Sequence, residues 1–213
     1  MNSVRTSANR KEEIFEAALL CFNQKGYHKT SIDTIALKGR ISKGGIYYYF
    51  RSKEELFLGL FNFRLNKYID QLKTYIQKER DPEKRILLLI QKWGLILKEN
   101  QDFFRFCLEF SAMGARDKEI RKEMTSFYKN STNTFSQIIR EGIAVGEFKS
   151  LDPEKIARLI FSLFQGIFST YFSLDYDFDL IEQHTFNMKT ILQGIQNIKN
   201  ADMSALPSKR KEV

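Results

Sequence analysis

The sequence predicts an all-α protein: an N-terminal helix-turn-helix three-helix domain followed by a larger helical domain, about nine helices in all. Three observations predict it. Apolar residues recur at helical spacing along nearly the whole 213-residue chain. Only three prolines occur, Pro82, Pro153 and Pro207, and each falls where a helix starts or in the tail, where its missing N–H is tolerated. The stretch from Thr30 to Leu56 reads as helix, tight turn, helix, with a third helix beginning at its end.

The elements follow in order. Residues 1–7 form an N-terminal arm. The first helix runs to about Gln24 on an apolar face of Ile14, Phe15, Ala18, Leu19 and Phe22, and Gly26 suits the position just past its end. Ser31 is an N-cap for the second helix, whose apolar edge is Ile32, Ile35 and Ala36. Lys38-Gly39-Arg40 breaks the pattern, and Gly39 is the residue suited to a turn of positive φ. Ser42 opens a third helix over 43–50. Ser52, with Glu55 at capping-box spacing, opens a long fourth one to about Lys78, striped by Leu56, Phe57, Leu60, Phe61, Leu65 and Tyr68.

A fifth helix, from about Glu83 to Glu99, follows the break at Pro82 and turns Trp93 inward. Asn100-Gln101-Asp102 opens a phenylalanine-rich sixth. The seventh spans about Asp117 to Val145, interrupted by a polar stretch over 129–134 that reads as a solvated or pocket-lining turn. Gly146 ends it and Phe148 packs back. Asp152-Pro153-Glu154 starts the eighth helix with a cap, a proline at the first position and an acid in the first turn. After an acidic turn over 175–179, the ninth runs from about Leu180 to Lys199, and residues 201–213 form a disordered basic tail.

The chemistry of the third helix points to nucleic acid. Lys43 sits in its first turn, where a purely structural helix more often carries an acid. Gly44 and Gly45 follow, each costing about 1 kcal/mol against alanine inside a helix, and close approach to a nucleic-acid surface is a reason to keep them. Tyr47, Tyr48 and Tyr49 cover most of the circumference, so at least one is exposed to meet phosphate or a base edge. Of the net charge of +8, the first 53 residues hold +6, from ten Lys and Arg against four Asp and Glu. That concentration is the footprint of a nucleic-acid-binding end.

The segment resembles the DNA-binding domain of the TetR family of one-component bacterial regulators over about residues 8–60. The resemblance rests on Ile14, Ala17, Ala18, Phe22, Gly26 and Tyr27, on Thr30, Ser31, Ile35 and Ala36, and on the run from Ile41 to Phe50 followed by Ser52-Lys53-Glu54-Glu55-Leu56. The family often has Ala-Gly before the Val-Ser that opens the recognition helix; here those positions hold Gly39 and Arg40. The resemblance implies a DNA-binding set of Thr30, Ser31, Arg40, Ser42, Lys43, Gly44, Gly45, Tyr47, Tyr48, Tyr49 and Lys53. Lys43, Tyr48, Tyr49 and Lys53 are then on phosphates, with Gly44 and Tyr47 nearest the bases. It implies a domain of residues 1–52 for double-stranded DNA and one of 53–200 for regulation and dimerisation.

The same resemblance implies a repressor released from a palindromic operator by a small hydrophobic effector, acting as a homodimer in the cytoplasm. An activator or an effector-independent DNA-binding protein is the alternative. For the effector, aromatic residues at helical spacing suggest Trp93, Phe103, Phe106, Phe110, Phe127 and Phe168, although such a stripe is more often core than pocket. Arg105, Glu109, Arg116 and His184 are options for a polar anchor. For the dimer, the broad apolar faces of the last two helices suggest Leu159, Leu163, Ile167, Met188, Ile191 and Ile195, the second copy completing a four-helix bundle.

Other classes find little support. No apolar run approaches the length of a membrane span, and no signal-peptide block follows Arg5, Arg10 and Lys11. Cys21 and Cys107 lie in apolar helical patterns and read as reduced core thiols. There is no zinc spacing, nucleophile elbow or phosphate loop, and with two histidines the general-base options are thin, so no enzyme, metal or cofactor is expected.

Overall fold

The computed structural model describes residues 7–174 and 178–197. Helices α1 (Ser7–Lys29), α2 (Ile32–Gly39) and α3 (Lys43–Tyr47) come first, then α4 (Lys53–Ile76), α5 (Pro82–Glu99), α6 (Gln101–Gly114), α7 (Lys118–Ala144), α8 (Pro153–Ser173) and α9 (Leu180–Ile195). No helix among the described residues is long and apolar enough to cross a membrane. The arm up to residue 6, part of the acidic turn (175–177), the expected end of the ninth helix past 197 and the basic tail lie outside the described residues.

The helix starts are written in short polar side chains. The hydroxyls of Ser31, Ser42 and Ser52 accept from amides of α2, α3 and α4, and Asp81, Asp117, Asp152 and Asp179 do the same for α5, α7, α8 and α9. Each such cap stabilises its helix by about 1 kcal/mol. Hydrogen bonds from helix amides hold the Asp81 and Asp179 carboxyls below their ordinary pKa. The Glu55 carboxylate accepts from the amide of Arg51 at 2.6 Å, one residue earlier than a capping box requires.

Two expectations about the chain path are corrected. Arg40, not Gly39, takes the left-handed conformation at the turn, with φ 52°. Gly39 stays helical, and a Cβ there would lie 2.9 Å from Ile41 Cδ1 and 3.0 Å from Ala17 Cβ, so its smallness serves the close packing of α2 on Ile41 and α1. The polar stretch over 129–134 is no turn. It lies within α7, where the hydroxyls of Thr132 and Thr134 donate to the carbonyls of Tyr128 and Asn130. Gly26 (φ 74°) bends the end of α1, and Gly146 (φ 75°) lets the chain leave α7 so that Phe148 returns against Gly142.

The core has two parts. One runs from the head into the larger domain, where Phe22 of α1 and Phe57 of α4 meet Phe106 and Phe110 of α6, with ring centres 4.8–6.0 Å apart. The other fills the space between α5, α7, α8 and α9 with Ile86, Ile138, Ile160 and Leu192. Met188, Ile191 and Ile195 belong to this second part and are buried within the single chain. That corrects their expected place on the dimer face, since the stripe of α9 is used up by packing on α5 and α8. The shared first core makes α6 a common wall: it packs on α1 on one side and on α7 and α8 on the other.

Candidate nucleic-acid interface and ligand cavity

The reading head is held from below. Ile46 and Phe50 of the α3 segment are buried with Ile14, Ala18, Ile35 and Ile41, which fixes α3 on the outside of α1 and α2. Ser42 at its N-cap is exposed while its hydroxyl accepts from the Gly45 amide at 3.0 Å. Ser31 is likewise exposed and caps α2. Lys43 is exposed, and its ammonium pairs with Asp33 of α2 at 2.9 Å, which raises its pKa. Tyr48 is 81% exposed and Tyr47 45%. Arg40 is exposed at the turn between α2 and α3, while Tyr49 is half-buried with its ring against Tyr48 and Lys11.

The two glycines of α3 differ. A Cβ on Gly45 would press on Ser42 Oγ (3.1 Å) and Ile41 Cγ2 (3.3 Å), so that glycine has an internal reason. A Cβ on Gly44 would meet nothing within 4 Å. The chain thus carries a helix-weakening residue on an exposed face where its own packing does not ask for one.

Two members of the expected DNA-binding set are placed otherwise. The Thr30 side chain is buried and donates to the carbonyls of Gly26 (2.8 Å) and Cys21 (3.1 Å), closing the bend at the end of α1, so it presents no group outward. The Lys53 ammonium donates to the carbonyls of Tyr27 (2.7 Å) and Thr30 (2.9 Å) and lies 4.2 Å from the centre of the Tyr27 ring. Two of its three donors are therefore spent on pinning α4 to the end of α1. Burial pushes its pKa down, against the opposing pull of Glu109.

A cavity of about 440 Å³ opens in the larger domain, enclosed by α4, α5, α6, α7 and α8. That volume suits a small-molecule ligand. Of the six expected ligand residues, Trp93, Phe127 and Phe168 line it. Phe103, Phe106 and Phe110 do not: they pack against α4, where Phe110 stacks on Phe61 at 3.9 Å, Phe106 meets Phe57 and Phe103 meets Tyr68. The wall of α6 is instead Phe104, Cys107 and Ser111, each one residue along. Burial raises the Cys107 pKa, so it stays a neutral thiol. Phe61, Leu65, Tyr128, Phe161 and Gln165 complete much of the lining and were not singled out, because in sequence they are ordinary members of apolar stripes or of a polar face. None of Arg105, Glu109, Arg116 and His184 lines it. Arg105 and Arg116 are exposed. His184 is buried behind Phe164, its ring 5.0 Å away, and burial pushes its pKa down to about 4.

Glu109 has a different partner. From α6 its carboxylate accepts from the backbone amide of Tyr27 at 2.6 Å, at the bend where Lys53 also binds. Asn23 of α1 donates to the Asp102 carbonyl at 2.8 Å, near the start of the same helix. The cavity wall and the grip on the head are opposite faces of α6.

On the outer side of α8, Leu159 (46%) and Leu163 (36%) are exposed and Ile167 is half-buried. Phe186 of α9 is 64% exposed. Gly166 and Gly194 have open space where a Cβ would stand.

Comparison with known proteins places these features. Residues 14–60 match the family of bacterial regulatory proteins of the tetR type, and residues 61–194 match the C-terminal region of YsiA-like proteins. The fatty acid metabolism regulator protein of Bacillus subtilis (strain 168) is 25% identical over 187 residues, covering 87% of this chain and 95% of its own. The solved structure of the transcriptional regulator FadR from Bacillus subtilis in complex with stearoyl-CoA superposes with a TM-score of 0.76 at 25% identity, covering 87% of this chain and 99% of that one. A TetR transcription regulator from Haloarcula marismortui superposes with a TM-score of 0.81 at 21% identity, over 89% and 100%, and so shares the fold. With a helix-turn-helix head and a YsiA-like helical domain matched in sequence over residues 14–194, the chain belongs to the TetR family of transcriptional regulators.

Proposed function

We propose that this protein is a sequence-specific repressor that leaves its operator when a small hydrophobic effector, a long-chain acyl group, enters the α4–α8 cavity. The observation that carries the reading is the double role of α6. Phe104, Cys107 and Ser111 line the cavity, while Glu109 holds the Tyr27 amide of the head. A ligand that displaces the first group acts on the second through one rigid helix. The size of the effect is bounded by the ligand's differential affinity for the two states of the protein. The acyl class is supported by the apolar lining and by the similarity to a regulator solved with stearoyl-CoA.

At the DNA, Gly44 and Tyr47 meet base edges in the major groove. Lys43 and Tyr48 hold phosphates, with Ser31, Arg40 and Ser42 beside them. Tyr49 joins them on the phosphate side, and Thr30, Gly45 and Lys53 shape the surface from beneath. The protein acts in the bacterial cytoplasm as a homodimer on a palindromic operator. Its partner copy covers Leu159, Leu163, Ile167 and Phe186 in a four-helix bundle, with Gly166 and Gly194 allowing close approach. Two heads on a two-fold axis read two half-sites.

The test selects a binding site from a random DNA pool with the full-length protein, then follows the labelled site by fluorescence anisotropy while stearoyl-CoA is added. Selection of a palindrome and its saturable release is expected. A complex that persists at saturating acyl-CoA would overturn the effector reading, and failure to enrich any site would overturn the operator reading.

A further inference from the structure

Two cations of the head stand beside the recognition helix but outside the helix-turn-helix. Lys11 and Phe15 lie one turn apart on α1 and share a face. Phe15 is buried with its ring 5.2 Å from that of Phe50, so the end of the α3 segment is seated on this face. Lys11 is exposed at the rim of that contact. Its ammonium lies 5.9 Å from the centres of both the Tyr49 and the Phe50 rings, and Tyr49 in turn meets Tyr48 edge-on at 4.9 Å. Arg51 follows Phe50 directly and is exposed, with its backbone fixed by the 2.6 Å bond to Glu55.

The basic side chains around these two along α1 and α4 are occupied. Arg10 pairs with Glu13, Arg64 with Glu16 and Lys67 with Glu12, and Lys53 turns in to the carbonyls of Tyr27 and Thr30. Neither Lys11 nor Arg51 takes part in an ion pair among the described residues. A distance of 5.9 Å is at the outer limit of a cation–π contact, so the fold gains little from the Lys11 charge. Among the described helices, α1 and α3 alone have no acid in the first turn, while each of the others has one. The surface at this edge is therefore positive and unneutralised, next to tyrosines already assigned to phosphates.

Resting on the DNA-binding reading above, we infer that Lys11 and Arg51 are phosphate contacts, and that the DNA surface reaches past the helix-turn-helix onto the N-terminal part of α1 and the approach to α4. They supply at this edge the charge that Lys53, turned inward, does not. Contacts of this kind position the head and carry no sequence information. They also give α1 two attachments, one to Glu109 of α6 at Tyr27 and one to DNA at Lys11. An effector that moves α6 then acts on a helix that itself touches DNA.

The experiment measures binding by full-length protein to two labelled duplexes, the selected site and one of unrelated sequence, between about 50 and 200 mM salt. Lys11→Gln and Arg51→Gln, checked by their melting curves, are each expected to weaken binding to both duplexes alike, by about fivefold to tenfold per head near 0.1 M salt. Each should also make the slope of log affinity against log salt shallower by about 0.9 per head, without changing the selected sequence. Lys11→Arg should restore the slope. Lys155→Gln, which removes the same charge from an exposed site at the start of α8, should leave it unaltered. An unchanged slope in either head variant would overturn the inference. So would an equal change in Lys155→Gln, or a loss confined to the selected site. Wild-type protein that binds the unrelated duplex with the expected slopes but enriches no site would leave the inference standing and overturn the operator reading. Binding to neither duplex would overturn both.

Discussion

The reading head and the regulatory domain keep their working residues in opposite places. In the head, Ile14, Ala18, Ile35, Ile46 and Phe50 are buried, and the exposed residues assigned to DNA stand outside them. In the regulatory domain the same phenylalanines that build the core also face the cavity, and neighbours on one helix divide between the two roles. Phe103, Phe106 and Phe110 are core, while Phe104 and Cys107 are wall. Function separate from stability can be altered without unfolding the protein, whereas function shared with the core cannot.

The largest effect that sharpens this contrast is expected in the head. Tyr47→Ala should weaken binding to the preferred site by roughly tenfold to a hundredfold and relax preference at one position, with an unchanged melting temperature. Unchanged preference in the same site-selection experiment would remove Tyr47 from the base-reading set. At the junction, Glu109→Ala takes the acceptor from the Tyr27 amide, a bond to a charged group worth about 1.5–3 kcal/mol. It should leave acyl-CoA affinity within about twofold while weakening release of DNA by several-fold. If release is unaltered, α6 does not act through this bond.

In the regulatory domain the titration of one core residue bears on the fold. The His184 pKa is lowered from 6.5 to about 4 in the folded chain, so folding favours the neutral ring. The stability this gives is present above about pH 6.5 and is lost as pH falls toward 4, by roughly 2–3 kcal/mol at the lower end. Melting curves from pH 7 to pH 4.5 should show the loss in the wild type and a flatter profile in His184→Phe. Equal slopes would place the titration elsewhere. Two smaller effects return to the head. Gly44→Ala should raise stability by up to about 1 kcal/mol and still weaken DNA binding, the sign expected where glycine serves an outside partner. Asp33→Asn frees Lys43 from an exposed ion pair, so the melting temperature should be unchanged. DNA affinity at low salt should rise slightly.

The same contrast explains what could be read from the residues. The helix starts at Ser31, Ser42, Ser52 and Asp152 were legible because these caps act through their own neighbours in sequence. The surface position of α3 was legible because glycines and tyrosines in one short helix are a local pattern. Gly39 looked like the turn residue, but its small size is used in close packing against Ile41 and against Ala17 of another helix, which local sequence does not reveal. Thr30 and Lys53 looked like outward polar groups, but their partners are the carbonyls at the bend of α1, which no local pattern reveals. The cavity was half legible for a related reason. Periodicity marks an apolar face, and it cannot tell which edge of that face meets a neighbour and which meets a void. For α9 the face was real, but α5 and α8 of the same chain already cover it, leaving Phe186 outside.

The measurement that tests the central claim most directly is reciprocal linkage. The affinity of stearoyl-CoA is determined by calorimetry with the protein free and with it saturated by its selected DNA site. If cavity and head are coupled through α6, DNA must weaken acyl-CoA binding by the same factor by which acyl-CoA weakens DNA binding. An acyl-CoA affinity identical in the presence and absence of DNA would contradict the account, even if both ligands bind tightly.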